Sequence, residues 1–322
     1  MSTPLVLGLD VGGTATRVVV ADLHGRVVGT ARGDGGNPVS HGAAAAARSI
    51  AATLDSALTG VDPGRVAAGV LGLAGGLVAA GGLTEIWSAS GLTVEPRRAS
   101  DVELAFAAGT SSPAGSVLIS GTGAVAGECR DFAPVHLADG HGWLLGDRGS
   151  GYWLGHAAVR LTLAGIDRRV QPTGLMKSVV EELLGPGVGE EHLGAAAELR
   201  SGVIAAVHAD SPVRLARLAP LVLSAAEAGE PEARGLVAEA ADHLLSTLGT
   251  VRAAGSDDPV VLAGGVLSAG SPLASAVYER IADRWPRAEL AFAGNAAGAA
   301  AWLAARSLGA PGLDGLHGQF VG

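Results

Sequence analysis

Apolar and polar positions along the chain fall into two rounds of one pattern. The first round opens on the apolar run Leu5-Val6-Leu7-Gly8-Leu9, which ends in Asp10. The glycines Gly12 and Gly13 and the threonines Thr14 and Thr16 predict a reversal, and a second apolar run starts at Val18. A turn at His24-Gly25 and a third strand near 26–31 complete a meander. After a breaker-rich loop at 33–38, helical spacing predicts a helix over 43–58, with Ser40 a plausible cap. A buried strand follows over 66–73, leading to Gly75-Gly76. Next come a helix over 83–88, a strand over 93–99, and a helix over 102–108 opened by Ser100 and Asp101.

The second round repeats the first, and the recurrence decides the fold class. Strands are predicted over 116–120, 124–129 and 132–136, with Gly121, Thr122 and Gly123 at the first turn. A helix over 152–164 follows, and the stretch 171–254 is almost wholly helical, interrupted at Pro172, Pro212 and Pro231. A strand at 259–263, a turn at Gly264-Gly265, a helix over 273–285, a strand over 288–292 and a helix over 296–308 close the round. The class is α/β: two domains of mixed β-sheet flanked by helices, at 1–112 and 113–308, with a helical insertion at about 171–254 in the second. The tail 309–322, with Pro and Gly, is expected to be loosely ordered.

Several of these turns carry candidate chemistry. In the opening hairpin, Gly12 and Gly13 permit positive φ and close backbone approach. Successive N–H groups there can form a nest for a phosphate. Asp10 is placed to hold Mg²⁺, directly or through water, and the hydroxyls of Thr14 and Thr16 can reach phosphate oxygens. An ordinary hairpin explains a Gly-Gly turn equally well. The P-loop pattern is absent, and β-type residues follow the glycines where a dinucleotide-binding fold needs a helix.

Asp101 lies where a strand meets a helix, the usual place for ligand contacts in such sheets. Alone it reads as a first-turn acid. Downstream of a phosphate-binding hairpin it reads as the base for an attacking hydroxyl. Asn37, a turn residue or a partner for hydroxyls, sits in Gly35-Gly36-Asn37-Pro38. Residues 120–123 recur at the equivalent place in the second round and suit a second phosphate turn. The segment 140–153 concentrates Gly, Trp, Tyr and Asp. In it, Asp147 is a candidate for binding sugar hydroxyls, and His141 reads as a loop hydrogen-bonder, since no second His or Cys lies at ligand spacing. Gly264 and Gly265 offer flat backbone to an adenine or ribose.

Composition narrows the setting. A formal net charge of −9 argues against nucleic acid or a membrane as the main partner, though not against ATP. The single cysteine, Cys129, excludes an internal disulfide or a thiolate metal cluster and suits a reducing cytoplasm. The start, Met1-Ser2-Thr3-Pro4, has no basic region, so no signal peptide is expected, and the apolar runs are too broken to predict a membrane span.

The opening motif, Asp10 to Thr16, resembles the first phosphate motif of the actin-like (ribonuclease H-like) superfamily. Five motifs together resemble the BadF/BadG-type ATPases, and within them the N-acetylglucosamine kinases. They are Asp10–Thr16 (D-G-G-G-T-x-T), 35–38 (G-x-x-N), Ser100-Asp101 (the acidic helix start), 120–123 (G-T-G-S) and 146–153 (G-D-E-G-S-x-Y-W). The helical stretch 216–222 fits as well.

The resemblance implies that ATP with Mg²⁺ phosphorylates the 6-hydroxyl of an amino sugar, with Asp101 as base. Asn37, Asp101, Gly140, His141, Gly142 and Asp147 would line the sugar. Gly12, Gly13, Thr14, Thr16, Gly121, Thr122, Gly123, Gly264 and Gly265 would serve ATP, and Asp10 the metal. It also implies a cytoplasmic homodimer. Val11, Ala124, His141 and Arg148 depart from the family pattern, the last two beside the expected sugar site. Glucosamine or N-acetylmuramic acid is the alternative acceptor, and a sugar sensor without turnover is the alternative of another class. A single cysteine speaks against the iron–sulfur branch of the family.

Overall fold

The computed structural model describes residues 3–73, 83–188 and 196–322. The expected turn at Gly75-Gly76 and residues 189–195 of the helical insertion lie outside the described residues.

The first round forms β1 (Leu5–Val11), β2 (Ala15–Asp22), β3 (Val27–Asp34), α1 (Pro38–His41), α2 (Ala43–Ala57), β4 (Val66–Leu73), α3 (Leu83–Ala89), β5 (Arg97–Ala99) and α4 (Asp101–Ala107). These strands make one mixed sheet in the order β3-β2-β1-β4-β5. β1 pairs antiparallel with β2 and parallel with β4. It is apolar on both faces because it is central and covered on both sides. α2 buries Ala46, Ile50, Thr53, Leu54 and Ala57, one helical stripe. Gly29 and Gly33 on β3 leave no room for a Cβ against Ala57 and Thr53, so α2 lies close on that edge. Its N-cap position is Gly42.

The second round forms β6 (Ala114–Ser120), β7 (Ala124–Arg130), β8 (Ala133–Asp139) and α5 (Gly151–Asp167). The insertion follows as α6 (Gly174–Leu184), α7 (Ala196–His208), α8 (Ala219–Glu227) and α9 (Pro231–Val251). Pro231 occupies the first turn of α9, where its missing N–H costs nothing. Then come β9 (Val260–Ala263), α10 (Pro272–Arg284), β10 (Leu290–Phe292), α11 (Ala296–Ser307) and α12 (Leu313–Val321). The second sheet runs β10-β9-β6-β7-β8, with β6 parallel to β9. Read from the other edge it repeats the order of the first sheet, which is the recurrence seen in the sequence.

Packing divides the chain into two units. One comprises Met1–Gly115, Cys129–Pro134 and Ala291–Gly322; the other comprises Ser116–Glu128 and Val135–Leu290. The first change of unit falls at 115/116, near the expected 112/113, and the last segment, 291–322, belongs to the first unit. α11, with its run of small residues, lies so close on β1 that a Cβ on Gly8 would strike the backbone of Ala297 and Ala301.

The tail is not loose. It forms α12, and Trp302 Nε1 donates to Leu313 O at 2.9 Å. The Val321 carbonyl accepts from Asn295 N–H at 2.9 Å, and Phe320 is buried. Among the described residues, no helix is long and apolar enough to cross a membrane.

Candidate active site

In the first unit the β1–β2 turn closes through Gly12 N–H donating to Ala15 O at 3.0 Å. Neither Gly12 nor Gly13 adopts a positive φ, so the left-handed backbone expected there is not what the turn uses. What glycine supplies here is thinness. Gly35 and Gly36 have no room for a Cβ against Gly13 O and Thr16 Oγ1, and Gly36 N–H donates to Gly12 O at 3.1 Å. His41 Nε2 and Gly13 O lie 2.6 Å apart, binding the same loop to the turn. The loop carrying Asn37 is thereby pressed onto the hairpin. Asn37 itself is buried and has a polar partner.

Thr14 and Gly13 are exposed on the turn. Thr16 differs from Thr14. It is fully buried, and its hydroxyl has no hydrogen-bond partner among the described residues. It lies beneath Gly36.

Asp10 stands near the end of β1, directly across from Arg17 on β2. Arg17 Nη1 donates to Asp10 Oδ2 at 2.9 Å. Loss of hydration raises the Asp10 pKa in spite of the Arg17 hydrogen bond and charge. The sequence reading missed this pair, although cross-strand partners of opposite charge are a recognisable signal once the register is known.

Asp101 is the first residue of α4. Ser100 is the N-cap, its Oγ accepting Glu103 N–H at 3.1 Å. Val102 N–H donates to Asp101 Oδ1 at 2.9 Å, which fixes the carboxylate. Solvent reaches Asp101, yet protein crowds it enough that loss of hydration is the main influence raising its pKa. The Asp10 charge raises it further, so these two acids of the first unit feel one another.

The second unit draws its candidates into one hydrogen-bonded body. Gly121 N–H donates to Gly123 O at 2.9 Å. The first N–H groups of α5 bind the same turn: Gly151 to Gly121 O at 2.8 Å and Tyr152 to Thr122 O at 3.2 Å. Ser120 Oγ donates to Gly149 O at 2.9 Å. Gly264, at φ 94°, has no room for a Cβ against Ser120 and Gly121, which puts the β9 turn beside the β6 turn. Thr122, Gly264 and Gly265 are exposed, and Gly265 faces open space.

Asp147 is buried, at φ 58°, and its Oδ1 accepts Ala124 N–H at 3.0 Å. Its pKa is raised by burial and by Asp139, against the Ala124 N–H and His141. Gly140 and Gly142 do adopt positive φ, 72° and 82°. His141 is exposed, with Nδ1 3.9 Å from Asp139 Oδ1.

No group of three metal-ligating side chains occurs among the described residues. Mg²⁺ retains waters and takes one or two carboxylates together with substrate phosphates, and Asp10, whose Oδ2 also accepts from Arg17, offers one such carboxylate.

The family model of the BadF/BadG/BcrA/BcrD ATPases matches residues 7–302. The chain belongs to this family. This BadF/BadG-type chain is 26% identical over 311 residues to the N-acetyl-D-glucosamine kinase of Dictyostelium discoideum, covering 90% of this chain and 94% of that one. Among solved structures it is similar to a candidate N-acetylglucosamine kinase from Chromobacterium violaceum, with TM-score 0.70 and 26% identity, over 94% of this chain and 99% of that one. A ROK family glucokinase from Streptomyces griseus shares the fold, with TM-score 0.57 and 18% identity, over 94% and 99% of the two chains. The two relatives at 26% identity are named as N-acetylglucosamine kinases, and the glucokinase shows the same fold.

Proposed function

We propose that the chain transfers the γ-phosphoryl group of ATP to the 6-hydroxyl of N-acetylglucosamine. The observation that carries this reading is Asp101, a carboxylate fixed at a helix start with its pKa raised, in a chain similar along 90% of its length to an N-acetylglucosamine kinase. A raised pKa makes a carboxylate a better proton acceptor at neutral pH. Asp101 takes the proton of the attacking hydroxyl, and the backbone N–H groups of Val102 and of Asp101 itself hold its carboxylate in orientation. Asp10 holds Mg²⁺, which when bound neutralises charge on the phosphates. The exposed Thr14 and Thr122, with the backbone of Gly12, Gly13, Gly121, Gly123, Gly264 and Gly265, bind ATP. Asn37, Gly140, His141, Gly142 and Asp147 select the sugar.

A screen of ATP consumption with N-acetylglucosamine, glucosamine, N-acetylmuramic acid, N-acetylmannosamine and glucose tests the reading. Highest kcat/KM on N-acetylglucosamine is expected. Preference for glucosamine or N-acetylmuramic acid would move the substrate, and no sugar-stimulated turnover would leave a sensor.

The Asp147 geometry adds a second expectation. Asp147→Ala removes the acceptor of Ala124 N–H, and an orphaned buried donor costs about 1–3 kcal/mol. The KM for ATP should therefore rise along with that for the sugar. Asp147→Asn keeps an amide oxygen for Ala124 and should hold the ATP KM within about threefold while the sugar KM still rises. Steady-state kinetics of both variants check this.

A further inference from the structure

Two bonds anchor the 139–147 loop to one residue. Gly140 N–H donates to Ala124 O at 2.9 Å, and Ala124 N–H donates to Asp147 Oδ1 at 3.0 Å. Next to the first of these ends stands Asp139, which no sequence motif singles out. Its Oδ1 accepts Asp147 N–H at 2.7 Å, and its Oδ2 accepts Arg148 N–H at 3.1 Å. Gly146 is pressed so closely against Oδ1 that a Cβ there has no room. Both acids are left-handed, Asp139 at φ 64° and Asp147 at φ 58°. Such backbone costs about 1–3 kcal/mol per residue and persists only where its surroundings hold it. The Asp139 carboxylate supplies that hold, since each of its oxygens accepts one N–H of the segment it restrains.

We propose that Asp139 is a positioning residue: by accepting the backbone N–H groups of Asp147 and Arg148 it sets the Asp147 carboxylate for the acceptor sugar. This rests on the sugar-binding role proposed for Asp147. Asp139 acts through the backbone and touches neither substrate. The arrangement places like charges near each other, because the two N–H groups lie on different oxygens of one carboxylate, and an amide in the same pose would turn its NH₂ toward one of them.

The test compares Asp139→Asn and Asp139→Gly. Both residues tolerate left-handed backbone, so the comparison isolates the two acceptor oxygens from the conformation. The sugar KM should rise about tenfold in Asp139→Gly and by less in Asp139→Asn, with kcat at saturating sugar within about threefold of wild type. A merely structural role would lower the active fraction, and so kcat, and leave the sugar KM in place. An unchanged sugar KM in folded Asp139→Gly overturns the proposal; if that variant does not fold, an unchanged KM in Asp139→Asn does so.

Amide exchange at Asp147 and Arg148 separates this idea from the kinase reading. Wild-type protein without sugar-stimulated turnover refutes the kinase reading. The hold on the loop is then judged by exchange alone: faster exchange at both amides in the variants supports it, and unchanged exchange refutes it.

Discussion

Asp101→Asn is expected to lower turnover by about 10² or more while leaving sugar and ATP binding largely intact, because it removes a proton acceptor and keeps the shape. It should also raise thermal stability. The sign follows from the direction of the shift. The folded-state pKa of Asp101 lies above the unfolded value near 3.8, so across that window the folded chain binds more protons than the unfolded one. Stability therefore falls as pH rises from below the unfolded value through the folded one. At neutral pH the ionised carboxylate is a standing cost, and asparagine, uncharged, removes it. Val102 N–H keeps an acceptor in the variant. Removing one charge also relieves Asp10. The gain in Tm should shrink as pH is lowered toward the carboxylate range, where wild-type Asp101 becomes neutral as well. Rapid-quench kinetics and thermal melts at two pH values check both halves. A variant with wild-type turnover ends the base assignment.

Gly8→Ala is expected to destabilise the chain by about 3 kcal/mol or more, at the upper end of what overpacking costs. Gly8 is in the middle of β1, which pairs with β2 on one side and β4 on the other. The face it presents is covered by the backbone of α11, with Ala297 O and Ala301 N where the methyl would go. A flexible side chain could swing away from such a methyl, but a helix backbone cannot. Either α11 lifts off, exposing buried Ala300 and Ala301 and loosening Trp302, or the strand shifts and disturbs Asp10 two residues on. Chemical denaturation should show a lower midpoint with an unchanged slope. A midpoint within error of wild type would mean that α11 does not lie on β1 as described.

The motif-bearing turns were legible because their signals are local. Apolar runs broken by Gly and Thr predicted β1, β2, β6 and β7, and Ser100 beside Asp101 predicted the start of α4. The two-fold recurrence announced the matching strand orders of the two sheets. Long-range packing was not legible. Nothing in the 291–322 stretch says which sheet it covers; only the small-residue face of α11 meeting Gly8 shows it. The tail reads as loose because Pro and Gly dominate its start, yet Phe320 and the Trp302–Leu313 bond dock it. Thr14 and Thr16 look equivalent at period two, but β2 begins at Ala15, so Thr14 lies in the turn and Thr16 in the ladder beneath Gly36. Asp139 carries no signal, since its role depends on two left-handed residues and on backbone N–H groups eight and nine positions away.

The central claim is phosphoryl transfer to one hydroxyl of one sugar. Phosphorus–proton NMR of the product formed from ATP, Mg²⁺ and N-acetylglucosamine tests it most directly. The account predicts a new phosphomonoester whose phosphorus couples to the two protons on carbon 6. Phosphorus coupled to the anomeric proton, or ADP formed with no sugar phosphate, would contradict it.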